Sequence, residues 1–195
     1  MSTTPRSSQA TLARFLVIMG LPAVARRLDN SIPPSKAGED ESQHFVLRVV
    51  QPGLAGLMDG SVSTLAPIFA TAFVTHSPFK AFLVGMAAAI GAGISMAFAE
   101  GLSDDGALTG RGNPAIRGSI TGIMTFFGGA LHTLPFLIPD LHTALLAAYI
   151  VVAVELVIIS AIRHRFFNTS WLMSIVQVVG SGALVFLTAL LVGNA

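Results

Sequence analysis

Apolar residues fall in long blocks along this chain, without the strict alternation of a half-buried strand or the narrow apolar stripe of a surface helix. Five blocks approach the ~20 residues an α-helix needs to cross a ~30 Å hydrocarbon layer. They run from Val49 to Val74, Phe79 to Leu102, Ile116 to Leu137, Leu141 to Ile162 and Ser170 to Val192. Turn-forming breaks separate them: Ser77-Pro78, Ser103-Asp104-Asp105-Gly106, Gly112-Asn113-Pro114, Pro139-Asp140 and Asn168-Thr169. Trp171 opens the last block, where an amphipathic ring suits a membrane interface. No internal repeat stands out. The pattern predicts an all-α membrane protein with a five-helix transmembrane domain over residues 45–195.

Residues 1–44 read differently. Arg26, Arg27, Pro33, Pro34 and the GEDES run from Gly38 to Ser42 describe a solvated arm. Within it Ala13 to Ala25 is apolar but too short to span, which leaves an interfacial amphipathic helix or a signal peptide ending at Ala23-Val24-Ala25. The cationic residues favour the first. The arm holds Arg6, Arg14, Arg26, Arg27, Lys36 and Arg48; the second-to-third connection holds Arg111 and Arg117; the fourth-to-fifth holds Arg163 and Arg165. Of eleven Lys and Arg, Lys80 alone falls on the other side. Five spans with that bias place the N-terminus in the cytosol and the C-terminus outside, as in a bacterial inner membrane. Signal cleavage would move Arg26, Arg27, Lys36 and Arg48 outside, against the same bias.

Composition agrees: the 195 residues are 53% hydrophobic and 11% charged, with mean hydropathy +0.74, whereas soluble domains carry about 25% charged residues. Net charge is +1, and no basic run is interleaved with aromatics, so nucleic acid is not an expected partner. The absence of cysteine excludes disulfides, zinc–thiolate sites and thiol catalysis.

Against this background the acids inside the blocks need a reason. Asp59 lies about ten residues into the first span, roughly 15 Å deep at ~1.5 Å per residue. A carboxylate there costs roughly 2.5–3.5 kcal/mol on insertion. A packing hydrogen bond could be made by a neutral residue without that cost, which points to a functional role. In the second span Met96 and Glu100 share a helix face, and Asp104 and Asp105 follow at its end. Together with Asp59 they form a ladder of oxygen donors and one thioether. Oxygen alone suits Mg²⁺, Ca²⁺ or Mn²⁺, and the thioether favours a softer ion such as Fe²⁺. Taken alone, Met96 is more simply a core filler. Glu155 in the fourth span suits a proton relay, a second metal ligand or a structural partner equally. His76, His132, His142 and His164 sit at the predicted span ends, where solvated histidines are expected rather than a metal site. Gln51 and Gln177 are expected to hydrogen-bond between helices, and Gly56/Gly60, Gly118/Gly122, Gly85, Gly91 and Gly93 to let backbones approach. Because Gly56 and Gly60 bracket Asp59, the tightly packed face also carries the carboxylate, as in a site between helices or protomers.

LMDGSVSTLAPIF followed by GAGISMAFAEGLSDD resembles the vacuolar iron transporter family, with an Asp-Gly in the first helix and a Ser-Met-x-x-x-Glu in the second. The similarity reaches from about Val50 to the C-terminus. VVAVELVIISAIRHRFF resembles the membrane half of bacterial membrane-bound ferritins. The resemblance implies a five-helix homodimer that carries Fe²⁺, and often Mn²⁺, out of the cytosol in exchange for protons. Asp59 and Met96 would be pathway ligands and Glu100 the first ligand at the entrance; Asp104 and Asp105 are read as helping it. The transported ion is cargo, and no resident cofactor is expected. Two departures stand out. Ser103 to Ala115 leaves no room for a cytosolic metal-binding helical region, and Met1 to His44 is too short for a ferritin-like domain and lacks its Glu-x-x-His pairs. A separate cytosolic iron donor would supply what both lack. An intramembrane aspartyl protease would need two deep aspartates, and only Asp59 qualifies, so no enzyme is expected. The alternative to export is a membrane scaffold or partner subunit of a metal-handling complex.

Overall fold

The first hydrophobic block folds as two helices. Pro67 lacks an amide hydrogen, and its ring crowds the carbonyl of Ser63 four residues earlier, so a helix cannot run undisturbed through it. The break falls at Thr64, between α1 (Gln51–Ser63) and α2 (Leu65–Thr75). One π-helical turn, Val46–Val50, leads into α1. Next come α3 (Pro78–Gly101), α4 (Pro114–Leu131), a 3-10 turn (Leu134–Leu137), α5 (Leu141–Phe167) and α6 (Trp171–Gly193). His76, at φ 50°, turns the chain out of α2. Asn113 caps α4 by accepting from the amides of Ala115 and Ile116.

This computed structural model describes residues 43–106, 109–167 and 169–193. The expected arm, with its amphipathic Ala13 to Ala25, lies outside them. Among the described residues all regular structure is helical, and the chain is an all-α membrane protein. Four helical runs are long and apolar enough to cross a membrane: Gln43–Thr75, α3, α5 and α6.

The third predicted span, α4, is different in kind. It ends at Leu131, short of the expected Leu137, and buries Gly118, Thr121, Gly122, Thr125, Gly128 and Gly129. Such a face is suited to contact with protein. A Cβ on Gly56 would stand 2.2 Å from the carbonyl oxygen of Thr121, and one on Gly60 would stand 2.0 Å from that of Thr125. On the neighbouring face of α4, a Cβ on Gly118 would meet Ala97 O at 2.5 Å and one on Gly122 would meet Gly93 O at 2.6 Å. Helices α1 and α3 therefore both press backbone to backbone on α4. Gly91, expected to join this packing, faces open space.

Beyond the Thr64 break the packing partners change. Phe69 of α2 stacks on Tyr149 at 5.3 Å and meets Phe136 and Phe186 edge-on at 5.8 and 5.3 Å. Leu65, Ile68, Phe69 and Ala72 form one core with Ala144, Ala148 and Ala189. Leu54 and Leu57 of α1 form another with Ile159 and Val178.

Candidate functional site

Asp59 occupies the edge of the glycine contact, one residue before Gly60. It is partly buried, and among the described residues it has no hydrogen-bond or ion-pair partner. Gln51, Ala55 and Ser63, spaced by four residues and so in line with it along α1, are exposed. The carboxylate thus belongs to a strip of small and polar positions on the outside of the span. Met96, three residues beyond Gly93, is also partly buried at the edge of the α3–α4 contact. The first span and α3 meet at Thr64 and Ala89, both 2.8 Å from a Cβ placed on Gly129. From that level Asp59 and Met96 lie five and seven residues toward the same end of the bundle, about 7 and 10 Å along their helices. Their depths are similar.

At that end the expected entrance carboxylates are already occupied. Glu100 Oε1 accepts from Arg111 Nη2 at 2.6 Å and Arg117 Nε at 2.9 Å. Asp104 Oδ2 pairs with Arg111 Nη1 at 3.1 Å and Arg117 Nη2 at 3.3 Å. Arg117 is only 1% exposed and also donates to the carbonyls of Gly112 and Asp104. Partial desolvation raises the pKa of Asp104, but bonds from Thr109 Oγ1 and the Gly106 amide, with the charge of Arg117 and a bond from Arg111, outweigh it. The carboxyl stays below its ordinary value. Arg48 Nε, donating to Gly110 O at 3.3 Å, ties the loop to the start of the first span. Asp105 is exposed beside this cluster. Among the described residues no three His, Asp or Glu side chains form a metal-holding group. Arg111 and Arg117, which in the sequence are only loop charges, are instead the partners of the expected metal ligands.

Deeper in the bundle lies a polar chain the sequence did not announce. Thr64, His132 and Glu155 are 1%, 0% and 5% exposed. His132 Nε2 lies 2.8 Å from Thr64 Oγ1, and its Nδ1 lies 3.0 Å from Glu155 Oε2. The tautomer follows from hydrogen counting. Thr64 has one hydroxyl hydrogen, which we assign to the Gly60 carbonyl at 2.8 Å. The Thr64–His132 bond then requires Nε2–H as donor. The expectation of a solvated His132 fails because the third span does not continue to Leu137. With α4 ending at Leu131, the histidine becomes its C-cap residue, held between the Thr64 break and α5. A signal was present in the stripe Thr121, Thr125, Gly128, His132, which repeats at helical spacing.

Comparison with known proteins adds one finding. A model of the VIT family matches residues 100–194. Over this stretch the chain is similar to the VIT family. No curated protein and no solved structure matches it. The VIT family is one of membrane metal-ion transport, and the long apolar helices of this chain make it an integral membrane protein. Glu100, Asp104, Asp105, His132 and Glu155 fall within the matched stretch, whereas Asp59 and Met96 precede it.

Two other polar groups near the end of α5 have structural partners. Gln177 accepts from Arg163, whose other arm touches Met58 Sδ at 4.0 Å. His164 Nδ1 bonds Thr169 O at 2.7 Å, and its ring lies 4.6 Å from that of Trp171. Glu155 Oε1, like Ser61 Oγ, Thr121 Oγ1 and Arg111 Nε, is buried with no hydrogen-bond partner among the described residues.

Proposed function

We propose that this chain exports a divalent metal ion, Fe²⁺ or Mn²⁺, from the cytosol across a bacterial inner membrane in exchange for protons. One observation carries the reading: a carboxylate in mid-span, Asp59, held on a glycine-packed helix without a partner. An unpaired carboxylate in that position costs a few kcal/mol, and a passing cation would offset the cost each time one binds. Met96, at similar depth on the neighbouring helix, supplies a soft donor that can replace part of a transition metal's hydration shell but offers little to Mg²⁺ or Ca²⁺.

At the cytosolic end Glu100 and Asp104 receive the ion by exchanging Arg111 and Arg117 for it, with Asp105 adding negative charge nearby. The ion then passes to Met96 and Asp59. Protons returning through Asp59 or Glu155 complete the exchange. Asp59 lies in an exposed strip with Gln51 and Ser63, so a second copy of the chain packed over this strip would screen the carboxylate from lipid; a homodimer is the assembly we infer. Metal delivery would fall to a separate cytosolic iron donor.

Purified protein in liposomes, loaded with a metal-sensitive dye and given Fe²⁺ or Mn²⁺ under an imposed pH gradient, tests this. Asp59→Asn should lower flux by roughly 10²-fold or more, since it removes the charge that replaces hydration, while elution volume and melting temperature stay as in the wild type. Unchanged flux would reject the assignment of Asp59. A folded wild type that moves neither metal would favour the scaffold reading, which the arginine-paired state of Glu100 and Asp104 also accommodates.

A further inference from the structure

The His132–Glu155 pair is buried, and its hydrogen bonds give it a proton count. With the Thr64 hydroxyl hydrogen given to Gly60 O, Nε2 carries the hydrogen of the Thr64–His132 bond. At 3.0 Å, Nδ1 and Glu155 Oε2 need one further proton between them. It lies on nitrogen, giving imidazolium against carboxylate, or on oxygen, giving neutral imidazole against carboxylic acid. Both forms are neutral overall. Removing that proton would leave two lone pairs facing each other and an uncompensated negative charge in a dry interior. With the Thr64 hydroxyl directed at Gly60 O, this geometry corresponds to the proton-loaded state. Oε2 is taken by the histidine, and Oε1 is buried with no partner. Oε1 is thus the carboxyl atom free to receive or pass on a proton.

The surroundings isolate this pair. α2 and α6 contain no Asp, Glu, Lys, Arg or His, and the 3-10 turn contains none. The charged residues of α3, Lys80 and Glu100, lie at its ends, the latter tied to arginine. Arg117 is fifteen residues from His132, at the other end of α4, and Arg163 is two helical turns from Glu155 on α5. The other titratable groups of α5 are His142 and Tyr149 toward its start and His164 and Arg165 toward its end. Asp59 is five residues from Thr64, about 140° away around α1. The hydrogen-bonded chain begins instead at the carbonyl of Gly60, the next residue, and runs to Thr64, to His132 and to Glu155.

We propose that His132 and Glu155 together form the single-proton site of this transporter, distinct from its metal path, with Thr64 as the positioning residue that links it to the Asp59 segment. This rests on the transport reading above. In each cycle one proton is accepted at Glu155 from the outer side, is shared between Oε2 and Nδ1, and is released toward the cytosol, leaving neutral Nε2–H imidazole and a carboxylate until the next arrives.

The test measures metal and proton movement separately in liposomes containing the full chain and dyes for both. Glu155→Gln and His132→Asn should still pass Mn²⁺ down its own gradient, while proton movement per metal falls by roughly 10²-fold. Thr64→Ser should keep the coupling and Thr64→Val should weaken it, with the pH dependence of transport shifted. Unchanged proton movement in folded Glu155→Gln and His132→Asn overturns the proposal, as does parallel loss of metal and proton flux. Should those two fail to fold, wild-type coupling and pH profile in Thr64→Val overturn it. If the wild type moves no metal, the transport reading fails, and the site is judged by ¹⁵N NMR of histidine-labelled protein with His132→Asn for assignment. A Nε2–H signal that shifts in Glu155→Gln supports the shared-proton site, and an unprotonated Nε2 overturns it.

Discussion

Gly60→Ala is a severe test of the close packing of α1 on α4. The added Cβ would stand 2.0 Å from the carbonyl oxygen of Thr125, against the 3.4 Å at which ordinary contact begins, so α1 would have to withdraw from α4 by more than 1 Å. Backbone lies on both sides and cannot rotate away. Overpacking of this kind costs about 1–3 kcal/mol, which for a chain of this size corresponds to a fall in Tm of roughly 3–10 °C. The same withdrawal would stretch the 2.8 Å Thr64–His132 bond to the edge of bonding distance or past it. Thermal denaturation of detergent-solubilised protein, read by gel filtration, gives the first effect, and metal flux in liposomes gives the second. Gly180→Ala is the internal control. It makes the same chemical change in a helix, but a Cβ there meets nothing within 4 Å, and helix propensity alone favours alanine by about 0.5–1 kcal/mol. A Gly60→Ala protein as stable and active as the wild type would refute the close approach of α1 and α4.

Other expectations follow from separate contacts. Arg117→Ala removes the guanidinium that holds Glu100 and Asp104 together, so the loop from Ser103 to Asn113 should become sensitive to protease while α5 and α6 stay protected. Arg111→Ala leaves the buried Arg117 in place and should lower the metal concentration needed for half-maximal flux, because one competitor for Glu100 is gone. Asn113→Ala deletes the cap of α4 and should cost about 0.5–2 kcal/mol, visible as a lower Tm. The carboxyl of Asp104 lies below its ordinary value of 3.8, so its contribution is complete above that value and is lost as pH falls through the depressed one. Acid loosening of the loop, followed by amide exchange at Gly106, should therefore occur only below about pH 3.8 and should vanish in Asp104→Asn.

Span positions are legible because a bilayer imposes a length on apolar runs. The observed Pro78–Gly101 and Trp171–Gly193 differ by a residue or so from the blocks Phe79 to Leu102 and Ser170 to Val192. The end of α4 is hidden because Leu134 to Leu137 continues the apolar block but folds as a 3-10 turn after the break at His132 and Thr133. Asp59 stands out because a lone charge in an apolar block is conspicuous. Arg117 and His132 do not, because a residue near a block's end looks solvated until its long-range partner is known. Their partners, Glu100 and Glu155, are seventeen and twenty-three residues away, separations that carry no periodic signature.

The break at Thr64 has a mechanical consequence. The half of the first span before it is clamped to α4 through glycine, and the half after it is embedded among the rings of Phe136, Tyr149 and Phe186. The two halves of one span thus share α5 and α6 but differ in their closest partner, α4 for one and the aromatic cluster for the other, and relative movement of those partners would concentrate its bending at a single hydroxyl-bearing joint. Any alternation of this molecule between two openings would be felt there first, at the residue that also grips the histidine.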